Sequence, residues 1–208
     1  LSAIHIKAEV SYRNGDRFVP KLEKVNMIEA PQTEGFLEYE GLYLLTGGLG
    51  GIGFELSKQM LQFGLKLVLI GRTSLEDSLE KKEAFSQLKD VGDVIYIQAD
   101  VTDLRDVEQA IYEAEKHFGQ SIRGVLHLAG AGHVSEHFQQ ADKYTLAHTS
   151  EEDFTKEMSG KADGAWVLQE AFKYDPTVPL VFFGSVNGFF GGTTFGAYSA
   201  ANSFLDGL

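Results

Sequence analysis

The stretch Tyr43-Leu44-Leu45-Thr46-Gly47-Gly48-Leu49-Gly50-Gly51-Ile52-Gly53 constrains the fold more than any other in the chain. An apolar run ending in Thr46 predicts a buried strand, and glycines follow at once. Phe54 to Phe63 then runs at helical spacing, with Ile52, Leu56, Met60 and Phe63 expected on one side. Gly64 stands where a helix commonly ends in a left-handed residue. Strand, glycine turn and helix in that order form the first half of a dinucleotide-binding unit. Gly48, Gly50 and Gly53 fill a G-x-G-x-x-G frame, in which backbone N–H groups can approach a pyrophosphate at the helix N-terminus. Glycine turns between a strand and a helix need not bind anything, so the bare frame leaves a ligand-free turn open as well.

The downstream sequence repeats the alternation. Strands are predicted at Lys66–Ile70, Val94–Gln98, Arg123–Leu128 and Pro179–Gly184. Between them lie helices over Glu76–Val91, Leu104–Phe118 and Phe154–Tyr174, and a last helix begins near Ala197. Strands that are apolar throughout and separated by helices predict an α/β fold, a doubly wound Rossmann-type parallel sheet covered on both faces. Right-handed crossovers give an expected strand order of 3-2-1-4-5.

Upstream, Ile4, Ile6, Ala8 and Val10 alternate, Asn14-Gly15 makes a turn, and Arg17-Phe18-Val19-Pro20 resumes an extended run. That predicts a β-hairpin, followed by a polar, acidic linker from Glu23 to Glu40. The expected division is a hairpin remnant plus linker over residues 1–40 and a catalytic domain over 41–208. The hairpin lacks partner elements of its own and Leu208 falls inside a helix, so both ends are expected to continue beyond the sequence. A polypeptide ending at Leu208 is accordingly expected to be poorly active.

A net charge of −12 argues against nucleic acid or an anionic membrane as the main partner. No run is long and apolar enough to span a membrane, and the start lacks a signal-peptide layout; a cytoplasmic location is expected. Cysteine is absent, which excludes disulfides and thiolate metal sites. His133 and His137 are four apart but lack the H-E-x-x-H arrangement, and no carboxylate joins them at ligand spacing, so no metal site is expected.

A phosphate-bearing ligand therefore needs a local positive site, and in an open parallel sheet it lies beyond the carboxyl ends of the strands. Those ends carry Thr46 with the glycine turn, Gly71-Arg72, Asp100-Val101, Ala129-Gly130 and Ser185. Arg72 occupies the place where an NAD-preferring protein sets Asp or Glu against the ribose hydroxyls. A guanidinium there suits a 2′-phosphate, the other reading being a solvated surface arginine. Asp100 either accepts from an adenine amino group or caps the next turn. Tyr198 and Asn202 share a face of the last helix, Ser185 ends the preceding strand, and Lys161 lies on the helix before that.

With these residues the sequence resembles the short-chain dehydrogenase/reductase superfamily, and within it the ketoreductase domains of modular polyketide synthases. The resemblance covers Gly41 to Leu208. The hairpin resembles the end of that domain's structural subdomain, with Arg13-Asn14-Gly15 and Pro20-Lys21-Leu22 in the expected places. The turn Thr46-Gly47-Gly48-Leu49-Gly50-Gly51-Ile52-Gly53 follows the family pattern. Lys161, Ser185, Tyr198 and Asn202 match its catalytic set in type, order and spacing. In commoner members the lysine follows the tyrosine by four residues, whereas in these ketoreductases Lys and Asn exchange places, as they do here.

The resemblance implies reduction of a keto group on a thioester carried by an acyl carrier protein, with NADPH as cofactor and neighbouring domains of the same synthase as partners. It further implies that Ser185 and Tyr198 hold the carbonyl oxygen while Tyr198 donates the proton. Lys161, besides touching the ribose, makes the phenol a better acid, and Asn202 holds water or side chains for proton resupply. Cofactor contacts are implied for residues 46–53, Gly71, Arg72, Asp100, Val101, Ala129, Gly130, Lys161 and Tyr198. A free-standing carbonyl reductase and a catalytically silent domain of the same fold are the other two readings. Two family markers of product hand are absent: Gly132-His133-Val134 replaces Leu-Asp-Asp, and Phe190 stands where a Trp marks the L-hydroxy type. The retained ring favours the L-hydroxy product.

Overall fold

The computed structural model describes residues 10–19, 21, 23–24, 37–130, 145, 147–192 and 194–208. The chain divides into two compact units, residues 1–35 and 36–208. In the first, β1 (Ser11–Arg13) and β2 (Asp16–Phe18) pair antiparallel around Asn14-Gly15. Both turn residues have positive φ, 53° and 89°, the left-handed geometry that asparagine and glycine supply in a two-residue hairpin. Ile4, Ile6, Ala8 and Pro20, named in the expected hairpin, lie outside the described residues.

The second unit begins five residues before the boundary expected from sequence. Tyr43 holds part of the added segment, its hydroxyl accepting from the Glu38 N–H at 2.7 Å. This unit holds a parallel sheet of β3 (Leu42–Thr46), β4 (Lys66–Gly71), β5 (Val94–Gln98), β6 (Ile122–His127) and β7 (Leu180–Phe182). The spatial order is β5-β4-β3-β6-β7, as the alternation predicts. Its helices are α1 (Gly51–Gln62), α2 (Leu79–Lys89), α3 (Leu104–Phe118), α4 (Glu151–Met158), α5 (Gly164–Phe172), α6 (Val186–Phe190) and α7 (Gly196–Asp206).

Alternate side chains of the central strand feed two cores. Leu42 and Leu44 join Val68, Ile70 and Val125 beneath Val107 and Ala110 of α3 and Leu168 of α5. Tyr43 and Leu45 join Leu67, Leu69 and Leu126 beneath Met60 and Leu61 of α1 and Leu88 of α2. β3 is buried along its whole length, so truncating Leu44 to Ala should cost about 2–5 kcal/mol.

Local chemistry sets where the helices begin and end. Asp103 caps α3 by accepting from the N–H groups of Arg105 and Asp106, and Gly119 closes it at φ 67°. The expected helix from Glu76 is split. Ser74 starts a short 3₁₀ turn (Leu75–Asp77), and Ser78 caps α2, accepting from the Lys81 N–H. The expected helix from Phe154 instead starts at Glu151 behind Ser150, and a π-turn (Ser159–Asp163) interrupts it. Of the expected stripe, Met60 and Leu56 face the core, but Ile52 in α1 and Phe63 at its C-cap are 74% and 71% exposed. Gly53 and Ser57 face inward instead, because a Cβ on Gly53 would lie 2.2 Å from the Gly47 carbonyl oxygen. Only that glycine lets the helix settle so close to its turn, and its inward position turns Ile52 outward.

Candidate active site

The site is built at the carboxyl ends of the strands. Gly47 is left-handed at φ 70°, and a Cβ there would meet the Ala129 nitrogen at 3.0 Å. Gly50 precedes α1 with no side-chain cap, and a Cβ on Gly51 would meet nothing within 4 Å. No acidic residue lies in the first turn of α1. An open, uncapped helix start of this kind suits the pyrophosphate of a dinucleotide. Leu49 is half-buried, Gly48 packs against Leu69, and Ser57 donates to the Gly48 carbonyl at 3.2 Å, which fixes the turn from beneath.

At the end of β4 the Gly71-Arg72-Thr73 segment is held by side chains of the neighbouring β5. The Tyr96 hydroxyl lies 3.0 Å from the Gly71 carbonyl oxygen and 2.6 Å from that of Thr73. The Gln98 amide donates to the Arg72 carbonyl at 3.0 Å. The Arg72 side chain is exposed and forms no ion pair among the described residues. Its backbone is therefore fixed and its guanidinium remains available.

Asp100 follows the capping alternative. Its Oδ1 accepts from the Thr102 N–H at 3.0 Å and the Thr102 hydroxyl at 2.8 Å. Val101 is buried in the core, beside Gly164. Beyond β6, a Cβ on Gly130 would lie 3.2 Å from Cε of Lys161, so glycine lets the strand end pass close to the lysine stem.

Lys161 lies in the π-turn and is only 7% exposed. Its Nζ donates to the Phe183 carbonyl at 2.7 Å and sits 5.8 Å from the centroid of the Tyr198 ring. Burial pulls its ammonium below the usual lysine range. Ser185, two residues beyond Phe183, starts α6, with its hydroxyl accepting from the Asn187 N–H at 3.2 Å. Tyr198 is half-buried in the first turn of α7, its ring tilted against Phe195. Asn202 is fully buried and donates from Nδ2 to the Tyr198 carbonyl at 2.7 Å, while its Oδ1 has no partner among the described residues. Helix α6 packs directly on α7 at Gly188, where a Cβ would meet the backbone of Asn202 and Ser203 at 3.1 Å.

Sequence reasoning passed over α6 and His127. His127 ends β6, is 1% exposed, and lies between Thr46 Oγ1 at 2.7 Å and the Lys161 carbonyl oxygen at 3.1 Å. Burial pulls its pKa down to about 4, against the raising effect of the Lys161 and Gly160 carbonyls, so the ring is neutral at pH 7. The available signal was a polar residue inside the apolar run Gly124–Leu128, where burial demands partners. His133, His137 and Gly132-His133-Val134 lie outside the described residues, and no metal-binding cluster occurs among the described ones. No helix among the described residues is long and apolar enough to cross a membrane.

Comparison with known proteins adds the family. Residues 41–208, from just before β3 to the last residue, match the KR domain model. The chain belongs to the KR domain family. That places it among oxidoreductases of the short-chain dehydrogenase/reductase type, whose fold binds a nicotinamide cofactor. Polyketide synthase PksN of Bacillus subtilis is 30% identical over 95% of the KR chain, which covers 3% of that protein. The mycocerosic acid synthase-like polyketide synthase of Mycobacterium tuberculosis is 28% identical, and the chain covers 90% of its own length and 8% of the relative. The KR chain thus spans a small fraction of the curated proteins it matches.

Two solved structures are also similar. A keto acid-selecting NRPS module with adenylation, ketoreductase and pseudo Asub domains superposes with a TM-score of 0.81 at 32% identity, over 94% of this chain and 16% of that one. A ketoreductase domain from the bacillaene assembly line gives a TM-score of 0.74 at 29% identity, over 95% and 44% respectively.

Proposed function

We propose that this KR domain reduces a keto group on an acyl thioester, delivered by an acyl carrier protein, to a hydroxyl, with NADPH as cofactor. The observation that carries the reading is the buried Lys161 ammonium, held at Phe183 beside the Tyr198 ring and near Ser185 in sequence. When bound, the nicotinamide supplies hydride to the carbonyl carbon. Ser185 and Tyr198 hold the oxygen on which negative charge grows, and Tyr198 gives it a proton. Lys161, its Nζ 5.8 Å from the ring centroid and largely shielded from water, stabilises the phenolate that remains. The buried amide of Asn202 ties to the Tyr198 backbone, and its free Oδ1 is a place for a water that resupplies the proton.

The glycine turn and the uncapped start of α1 would receive the pyrophosphate, and Arg72 a 2′-phosphate. The exposed Arg72 guanidinium supports NADPH over NADH. Neighbouring domains of a synthase would supply the carrier protein, in keeping with the multidomain relatives.

The similarity to a ketoreductase in a keto acid-selecting module supports a 2-keto substrate as a second reading beside the 3-keto one. Following NADPH oxidation with diffusible 2-ketoacyl and 3-ketoacyl thioesters separates them. Turnover of one thioester assigns the substrate class. Turnover of simple ketones but neither thioester identifies a free-standing carbonyl reductase, and oxidation with none identifies a silent domain.

A further inference from the structure

We propose that His127, braced by Thr46, is the positioning residue of Lys161: it clamps the backbone of the π-turn so that the ammonium of that same residue stays at Phe183 and beside Tyr198. The inference rests on the proposed role of Lys161.

Hydrogen-bond chemistry fixes every proton in the clamp. The Lys161 carbonyl can only accept, so the imidazole Nε2 must carry the hydrogen across the 3.1 Å contact. Nδ1 is then an acceptor, so the Thr46 hydroxyl donates to it across 2.7 Å. That leaves the Thr46 oxygen to accept from the Ala129 N–H at 3.0 Å. An unbroken chain therefore runs from Ala129 through Thr46 and His127 to the backbone of Lys161. Thr46 is also the last residue before the glycine turn, so one side chain serves both halves of the site.

The π-turn explains why a clamp is needed. A regular helix satisfies its carbonyls internally, whereas a π-turn inserts one residue and rotates the following helix by about 100° relative to the preceding one. That offset lets Lys161 reach the strand ends while Leu168 stays in the core. Such a turn is held only where outside contacts favour it, and His127 provides one at the residue that matters. Gly164 makes room for the ring, since a Cβ there would lie 3.0 Å from Cε1 and 3.3 Å from Nε2. Phe182 packs edge-on against the other side of the imidazole, 6.0 Å between centroids.

The test is a double-mutant cycle in the native polypeptide carrying this chain, reading kcat for NADPH-dependent reduction of whichever diffusible ketoacyl thioester it turns over. His127→Leu should lower kcat about 10- to 100-fold, the loss expected from displacing a catalytic group by about 1 Å. In a Lys161→Ala background the same change should add nothing, because the clamp then has no ammonium to hold. His127→Gln, which keeps an N–H donor and an acceptor, should recover most of the rate. Folded His127→Leu protein with kcat within about twofold of the parent overturns the proposal, as do losses that multiply in the double variant. If His127→Leu fails to fold, Gly164→Ala crowds the ring while keeping every hydrogen-bonding group, and the same coupling with Lys161→Ala decides. A Lys161→Ala variant that alone retains full kcat removes the role of Lys161 itself, a failure read separately from that of the clamp.

Discussion

The ammonium of Lys161 donates to the carbonyl of Phe183 at 2.7 Å, which ties the π-turn to the segment that ends β7 and leads into Ser185. The partner is a neutral carbonyl and no carboxylate pairs with Lys161 among the described residues, so the field of the ammonium is not cancelled at the Tyr198 ring 5.8 Å away.

Replacing Tyr198 by Phe should abolish reduction while leaving NADPH binding in place, measured by turnover and by cofactor fluorescence. Lys161→Ala should damage both, through the lost ammonium and a lost ribose contact. Turnover by Tyr198→Phe at a rate comparable to the parent removes the proposed acid.

Arg72→Ala should weaken NADPH binding by about 1.5–3 kcal/mol, the range for a hydrogen bond to a charged group, and leave NADH nearly unchanged. Titration of both cofactors checks this. Equal losses would mean that Arg72 does not meet a 2′-phosphate.

Two glycines of one turn should behave oppositely. Gly53→Ala places a Cβ 2.2 Å from the Gly47 oxygen and should destabilise the fold by several kcal/mol, since neither backbone can yield freely. Gly51→Ala enters open space at the start of α1, and its better helix propensity should leave the melting temperature unchanged or slightly higher. Thermal unfolding of the two variants tests the contrast.

His127 should make stability fall in acid. Its pKa is about 4 in the folded chain against 6.5 when unfolded, so between those values the unfolded state binds more protons. The stability of the neutral form is complete above pH 6.5 and is lost as pH falls toward 4, about 3 kcal/mol in all at about 1.36 kcal/mol per unit. Urea unfolding at pH 7 and near pH 4 should show this extra loss in the parent and its absence in His127→Gln. An identical pH dependence in both would contradict the assigned burial.

The alcohol formed should be the L-hydroxy product. Phe190, 41% exposed at the end of α6, is the ring that would block one side of the proposed thioester's path and turn its arm to the other. Chiral chromatography of the product from a ketoacyl thioester decides, and a predominantly D product would refute the steering role of Phe190.

Periodicity and capping made most of the fold legible. β5 and α3 appear at their predicted bounds because Asp103 and Gly119 announce the ends of α3 in the sequence itself. The buried face of α1 was half legible: of the apolar stripe, Met60 and Leu56 reach the core, whereas close backbone approach put Gly53 and Ser57 inside in place of Ile52 and Phe63. For the candidate site the sequence names Lys161, Ser185, Tyr198 and Asn202, and in the structure Lys161 lies beside the Tyr198 ring and Asn202 bonds the Tyr198 carbonyl; the roles given to them are proposals. The π-turn that aims Lys161 was not legible, since an inserted residue leaves no periodic trace in so short a helix. His127 was hidden for a related reason: its partners are a side chain 81 residues away and a backbone carbonyl 34 residues away, and no local pattern encodes either.

The contact at Gly188 has a consequence for how such a site diversifies. A Cβ at position 188 would lie 3.1 Å from the backbone of α7, and Ser185 caps α6 while Tyr198 stands in α7. If Ser185 and Tyr198 hold the substrate carbonyl as proposed, the gap between them would then be set by a spacer that touches neither hydroxyl. Each methyl-sized increment at position 188 would pry it open from behind, so substrate range can be tuned there without altering any group that takes part in the chemistry.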